Sequence, residues 1–575
     1  MKKYLKYIKP YAKFYITGPI FMMVEVLGEI LLPWLLAKII NIGVANHDIS
    51  YIVKIGIIMV VTAIFMAAGG VMGAFFAAKA AMNTGTDLRM ALFEKIQKFS
   101  FNNIDNFSTG SLVTRLTNDI TQIQNMIMQT LRTCLRSPGI LIGAVIMAFV
   151  MNAKLAIILI VAIPMIIMTV AVIMKVAFPR FDAMQTKLDM LNSCIQEGLV
   201  NIRVIKSFVR DEHEMVKFDQ RSSQLAKSTI NAMKTVIFMA PLMALIMNMA
   251  IVAVVWMGGN MIIAGNMPVG NLTAFINYMT QILSSLTMLS MVFLNSTRAV
   301  ASLKRIDEVL EAEIDLSDDD ACFKDKKVES GDVEFRNVFF KYYKTSDEWV
   351  LDNISFKLAS GQTMGIIGST GCGKSTLVSL VARLYDTDRG SVLVDGINVR
   401  DYSLKNLREG VGMVLQKNTL FSGDIMENLR WGDENASDEE VINAAELAQA
   451  ATFIQNFEKG YETQLGQGGN NVSGGQKQRL CIARALLKKP SILIFDDSTS
   501  AVDTATERRI HEVFTTTLKD VTKIIVSQRI SSIKDADIII AMDNGVIVDM
   551  GTHEELIKSC EMYNDICRSQ MTETE

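Results

Sequence analysis

The run Gly368-Ser369-Thr370-Gly371-Cys372-Gly373-Lys374-Ser375-Thr376 sets glycines, a lysine and a hydroxyl at the spacing G-x-x-x-x-G-K-S. The apolar stretch Thr363 to Ile367 before it predicts a strand, and Thr376 to Leu384 after it predicts a helix. That is the context of a phosphate-binding loop. The glycines let backbone N–H groups curl around β- and γ-phosphates. Lys374 adds charge, Ser375 offers a hydroxyl to Mg²⁺, and the helix N-terminus favours an anion.

A second stretch, Val472 to Asp503, reads VSGGQKQRLCIARALLKKPSILIFDDSTSAVD. A Gly-Gly turn opens a helical segment that ends near Pro490. The apolar strand Ile492 to Phe495 then stops at two carboxylates, Asp496 and Asp497. Carboxylates at a strand end can hold Mg²⁺ against a nucleotide.

Phosphate loop, VSGGQ and acid-terminated strand together resemble the ATP-binding cassette (ABC) transporters of exporter type, over nearly the whole chain. The string VSGGQKQR is the most specific element. The resemblance implies ATP and Mg²⁺ as ligands. It also implies two cassettes that sandwich two ATP molecules head to tail, the phosphate loop of one facing the signature of the other. It implies that Tyr342 stacks on adenine, with Tyr343 as competitor. Gln416, after the strand Val411 to Leu415, would meet Mg²⁺ and the attacking water. Asp496 would hold Mg²⁺ through water, with Ser375. Ser473, Gly474, Gly475 and Gln476 would present N–H groups and a hydroxyl to the γ-phosphate held by the partner. Asp503, in STSAVD, matches the dimer-contact loop.

Two positions of the nucleotide site depart from the family pattern. A glutamate normally follows the Mg²⁺ aspartate as general base; Asp497 is one methylene shorter, so its carboxylate falls roughly 1 Å short. A misplacement of about 1 Å can cost on the order of 10²-fold. The switch loop VSQRISSI carries Gln528 where histidine is expected; an amide can bond a phosphate oxygen but carries no proton charge. His511 and His553 stand elsewhere in the sequence, and Gln467 stands where exporters usually have an acidic residue. Two losses beside an intact signature resemble the weak-site subunit of a heterodimeric exporter. Its own site would bind ATP and hydrolyse it poorly, and its VSGGQ would complete the active site of a different chain that keeps the catalytic Glu and switch His. A homodimer with slow sites is the alternative.

The chain has 575 residues, too many for one ordinary domain, and half are hydrophobic. Of 36 methionines, 29 precede Val300. The net charge of −3 argues against nucleic acid as main partner. Seven scattered cysteines contain no CxxC pair, which argues against a zinc site or a disulfide framework. The first apolar run is long and has no small-residue cleavage pattern, so no cleavable leader is expected.

About six spans are expected, since roughly 20 apolar residues cross a bilayer: Phe14 to Ile42, Ile55 to Ala78, Thr133 to Met151, Leu155 to Met174, and two in the uncharged stretch Thr235 to Thr297, split at AGNMPVGN. The second and fourth connections are long and rich in Lys and Arg, as is the N-terminus, which places them in the cytoplasm. Asn106 to Ile120 and Asn201 to Phe218 resemble the two cytoplasmic loops of exporters, whose turns are short coupling helices; these are expected near 106–110 and 208–212. Glu25 and Glu29 lie four apart on one face of the first span. They mark either a cation-attracting point of the substrate pathway or a packing contact. Residues 319–331 read as a linker between a transmembrane domain (1–318) and an α/β P-loop cassette (332–575), and the acidic SDDD (Ser317 to Asp320) at its start reads as a solvated spacer.

The expected protein is one half of an ABC exporter in a bacterial plasma membrane, with N-terminus and cassette cytoplasmic. It would be an ATPase that exports a hydrophobic or amphipathic drug, lipid or peptide, and its partners are a second half-transporter and membrane lipids. An importer on the same fold and an ATP-responsive membrane regulator are the other classes the residues admit.

Overall fold

The computed structural model describes residues 2–319, 321–344, 346–498 and 503–571; the side chains of 2, 290, 291, 293–298, 504 and 571 lie outside that description. The chain divides into two compact units. One holds Met1–Gln97 and Thr109–Glu311, the other Lys98–Ser108 and Ala312–Glu575.

The first unit is helical: α1 (Ala12–Lys38), α2 (Ile49–Gln97), α3 (Ile120–Met151), α4 (Ala153–Val200), α5 (Asp211–Ile237), α6 (Met239–Ile263) and α7 (Val269–Leu310). Among the described residues five helices are long and apolar enough to cross a membrane: Leu5–Val44, Ile49–Gln97, Thr109–Met151, Ala153–Val200 and Asp211–Ile263. The sixth expected span falls on α7, where many side chains lie outside the description. With 49 residues, α2 is about 70 Å long, far more than a bilayer needs.

Local chemistry explains the joints. Asn152 is the entire break between α3 and α4, and its side chain accepts from the N–H groups of Lys154 and Leu155 to start the second helix. Gly69 lets α2 lie against α1; a Cβ there would meet the Phe21 carbonyl oxygen at 2.9 Å. Pro33 of α1 has no N–H to return to the Glu29 carbonyl four residues back. Gln281 Nε2 of α7 donates to that oxygen at 3.0 Å, and the Tyr278 hydroxyl donates to the Ile30 carbonyl at 2.8 Å. A side-chain donor from a neighbouring helix in this way satisfies the carbonyl that a proline leaves without an intrahelical partner in the membrane.

The two cytoplasmic turns lie a little earlier than their expected positions. The first is a helix at Phe101–Asn106, not 106–110, because Ser100 and Asn103 form a capping box that starts it there. It clusters with the cassette. The second is a helix at Ile202–Ser207, ahead of the expected 208–212, and it ends on Val209 at φ 51°. Its Ile202, Val204, Phe208 and Val209 side chains are exposed.

Residues 312–331 also cluster with the cassette. The acidic run is held there, not loose in solvent: Asp318 Oδ2 accepts from the Leu404 N–H at 2.9 Å, and Arg383 donates to the Ser317 carbonyl at 3.1 Å. Asp320 lies outside the described residues.

The cassette carries two main sheets. An antiparallel one contains Val333–Phe340 between Leu351–Leu358 and Arg389–Val394. The central sheet has the order Val546–Gly551, Ile538–Asp543, Thr363–Gly368, Thr522–Val526, Ile492–Asp496, Val411–Val414. All its pairs are parallel except that of the first strand. Parallel strands buried on both faces read as continuous apolar runs, which is how ILIFD and TKIIV look.

Candidate functional site

The register of the central sheet brings the chemical residues to one edge. Asp496 pairs with Val526, Val526 with Ile366, and Gly368 follows two residues on. The phosphate loop, Asp496 and Asp497, Gln416 and Gln528 therefore all leave the carboxyl ends of neighbouring strands, where open α/β sheets bind ligands.

The loop curls through positive φ at Gly371 (87°) and Gly373 (96°). A Cβ on Gly373 would meet the Val350 carbonyl at 2.8 Å, so only glycine fits beneath the start of the helix Lys374–Val381. The Lys374 ammonium is buried and donates to the Gly368 and Ser369 carbonyls at 2.9 and 2.7 Å. It lies 3.7 Å from Cys372 Sγ. Ser369 donates to Asp543 at 2.8 Å, while Thr370 and Gly371 face solvent.

Ser375 Oγ donates to Asp496 Oδ1 at 2.8 Å. Burial pushes the Asp496 carboxyl above the usual carboxylate range; the Ser375 hydroxyl draws it back and adjacent Asp497 pushes it further up. A hydroxyl and a buried carboxylate with a second carboxylate alongside are hard oxygen donors that a divalent cation would settle. The donor set fits Mg²⁺, and the glycine-walled loop fits the phosphates of ATP. Ser375 and Asp496 would hold the ion, which would neutralise phosphate charge; Gln416 exits the next strand toward the same place.

Asp497 stands at φ 47°, its N–H donating to the Val526 carbonyl at 2.9 Å. Gln528 Nε2 and Gln416 Nε2 reach its Oδ2 at 3.1 and 3.4 Å. Neither histidine substitutes. His511 is on Thr504–Thr516 against Phe514, and burial lowers its proton affinity. The His553 ring bonds Tyr563 at 2.7 Å.

Tyr342 and Tyr343 separate clearly. Tyr343 is 74% exposed and Tyr342 37%. The Tyr342 hydroxyl bonds Thr376 Oγ1 at 2.9 Å, which puts this ring beside the phosphate loop.

The signature opens the helix Gly474–Leu487. Ser473 caps it, its Oγ accepting from the Gln476 N–H at 3.3 Å while its own N–H donates to Gln476 Oε1 at 2.9 Å. The hydroxyl spends a lone pair on the cap and keeps its proton for an incoming anion. Among the described residues no hydrogen bond joins Ser473, Gly474, Gly475 or Gln476 to the phosphate loop of the same chain. Asp503 caps Thr504–Thr516 through the Thr506 N–H at 2.9 Å, a bond that holds its carboxyl below the usual range. Thr499 to Val502 of the STSAVD loop lie outside the described residues.

One part of the site was missed in the sequence. Tyr385 packs edge-on to Tyr342 at 5.2 Å and donates its hydroxyl to Asp105 Oδ2 at 2.8 Å, on the helix Phe101–Asn106. Burial, and then Asp105, raise the Tyr385 hydroxyl's pKa. Asp105–Tyr385–Tyr342–Thr376 is thus a continuous line from the cytoplasmic turn to the phosphate loop. Its only signal was an aromatic in LYDTDRG just after the loop's helix. Tyr385→Phe is expected to leave the affinity of the cassette for ATP within about twofold and to lower transport per ATP hydrolysed by roughly fivefold, since about 1 kcal/mol of hydrogen bonding is removed from the line. Parallel assays of ATPase and vesicle transport check this.

Known proteins agree with this architecture. Residues 15–286 match the model of the ABC transporter transmembrane region, and 351–500 that of the ABC transporter. The chain is 39% identical to the Bacillus subtilis ABC transporter ATP-binding protein YfiB, over 99% of this chain and 98% of that one. It is 32% identical to the putative multidrug export ATP-binding/permease protein YgaD of the same organism, over 98% of each. The solved structure of a bacterial Atm1-family ABC exporter with ATP bound superposes with a TM-score of 0.83 at 25% identity, covering 97% of this chain and 99% of that one. The fold and site thus define an ATP-driven membrane transporter, and the chain belongs to the ABC transporters, as an exporter-type half-transporter. It is a multi-pass membrane protein with a cytoplasmic, Mg²⁺- and ATP-dependent cassette, and it works as a dimer of two such halves.

Proposed function

We propose that this chain is the weak-site half of a heterodimeric exporter of hydrophobic or amphipathic compounds. ATP bound at its own phosphate loop serves closure of the two cassettes more than turnover, and its signature completes the active site on a partner chain that carries the catalytic Glu and switch His. Closure passes through the cytoplasmic turns to the spans, and hydrolysis on the partner's side resets them. The relative named for multidrug export supports the choice of substrate class.

The observation that carries the reading is the crowding of Asp497. A carboxylate oxygen has two lone pairs, and the Gln416 and Gln528 amides both point at Oδ2. That oxygen is ill placed to take a proton from an attacking water, and the side chain is already short. The intact Ser473 cap on the same chain supports the reading from the other side. The partner's cytoplasmic turn would seat in the groove of about 390 Å³ beside Gln416, between Leu415, Phe421, Trp431 and Arg484.

The test is Asp497→Glu combined with Gln528→His in the assembled pair. Steady-state ATPase activity should change by only about two- to fivefold, whereas substituting the partner's glutamate should reduce it by about 10²-fold. A dimer of this chain alone with full ATPase and transport would overturn the pairing.

A further inference from the structure

Glu25 and Glu29 of α1 do not stand alone in the membrane unit. Arg136 of α3, a charge inside an expected span, sits between them. Its Nε is 3.3 Å from Glu25 Oε1 and its Nη2 3.0 Å from Glu29 Oε2. One guanidinium answers two carboxylates, which leaves one net negative charge among these three. Arg132, one turn earlier, is exposed and makes no ion pair with either carboxylate among the described residues. Charges at such depth persist where they serve a cavity or a partner.

The surroundings are under-satisfied. Gln281 Oε1, Ser137 Oγ and Ser285 Oγ are buried without a hydrogen-bond partner, the two serines being 1% and 3% exposed. Gln281 is fixed beside Glu29 by its other end. Ser285 follows it by one turn on α7, and Met288 on the same face touches Arg136 at 4.0 Å. Buried polar atoms without partners are uncommon and need a reason.

An apolar cavity of about 440 Å³ opens between α3, α4 and α7, lined by Leu141, Ile166, Val170, Met174, Leu286 and Leu289 among others. Leu141 is one helical turn from Ser137 and Leu289 one turn from Ser285, each pair on one face. The two serines therefore stand at the border between the charged cluster and the apolar cavity.

We propose that cluster and cavity form a head-and-tail site for a cationic amphiphile. The positive head takes one of the carboxylates, Arg136 keeps the other, the serines and Gln281 supply acceptors, and the apolar body fills the cavity. This rests on the export of amphipathic compounds proposed above and adds the sign of their charge.

The test uses the assembled transporter in lipid nanodiscs without nucleotide, so it is independent of which pocket hydrolyses ATP. Binding of tetraphenylphosphonium is compared with that of tetraphenylborate, an anion of similar size. Tetraphenylphosphonium should bind at least about tenfold more tightly. Glu25→Gln with Glu29→Gln should remove that preference, and Arg136→Gln, which removes the competing cation, should tighten phosphonium binding by about threefold or more. Should the double variant fail to fold, as judged by thermal unfolding and ATP binding, Arg136→Gln decides, because a purely structural ion pair gives no gain. Equal binding of both ions, or unchanged or weaker phosphonium binding in Arg136→Gln, overturns the proposal while leaving amphiphile export standing. Binding of neither ion defeats both readings.

Discussion

Gly475→Asp is expected to reduce ATP hydrolysis by the assembled transporter by about 10²-fold or more, with nucleotide affinity at this chain's own phosphate loop unchanged. Gly475 is the second residue of Gly474–Leu487, in the turn that Ser473 caps. The N-terminal N–H groups of a helix and its dipole attract a phosphate, and a fixed carboxylate there repels one. Loss of a single preorganised donor to a developing negative charge already costs about 10²–10³-fold. An acidic residue in a first turn is favourable to the helix itself, so the fold should survive. Steady-state ATPase assays and equilibrium ATP binding on the same preparation separate the two effects. If hydrolysis persisted, the signature of this chain would not face a working pocket.

Lys374→Ala should weaken ATP binding at this chain's own loop by about 10²-fold, from the loss of charge-assisted bonds worth roughly 1.5–3 kcal/mol each. Its ammonium is held over the loop by two carbonyls, in place for a phosphate. The stoichiometry of tightly bound ATP should fall from two per assembly to one. Hydrolysis should fall by less than about tenfold, because the pocket emptied is the one with the crowded Asp497. A symmetric dimer would lose hydrolysis equally in Gly475→Asp and Lys374→Ala. The ranking of the two variants is thus a measure of asymmetry that does not require the partner to be mutated.

The phosphate loop, signature and acid-ended strand were legible because each needs particular residues at fixed spacing, whatever the rest of the chain does. Asp497 and Gln528 stood out for the same reason, as departures from a fixed spacing. The convergence of Gln416 and Gln528 on one oxygen was not legible, since it depends on sheet register joining positions 31 and 81 residues away from Asp497. The Asp105–Tyr385 bond spans 280 residues and has no local pattern at all. The first cytoplasmic turn was placed a few residues late because its start is set by the Ser100–Asn103 cap, a signal present in the sequence but outweighed there by NFSTG. Arg136 went unremarked within an expected span, although a charge among apolar residues is itself a signal; its two partners lie on another helix.

The bonds that Pro33 calls for have a mechanical corollary. Gln281 and Tyr278 grip two successive backbone oxygens of α1, and the Glu29 oxygen has no substitute donor within its own helix because Pro33 lacks an N–H. Sliding α7 along α1 would strand the Glu29 carbonyl in hydrocarbon. The first and last long helices of this half are therefore stitched together, so that whatever tilts α7 must swing α1 with it.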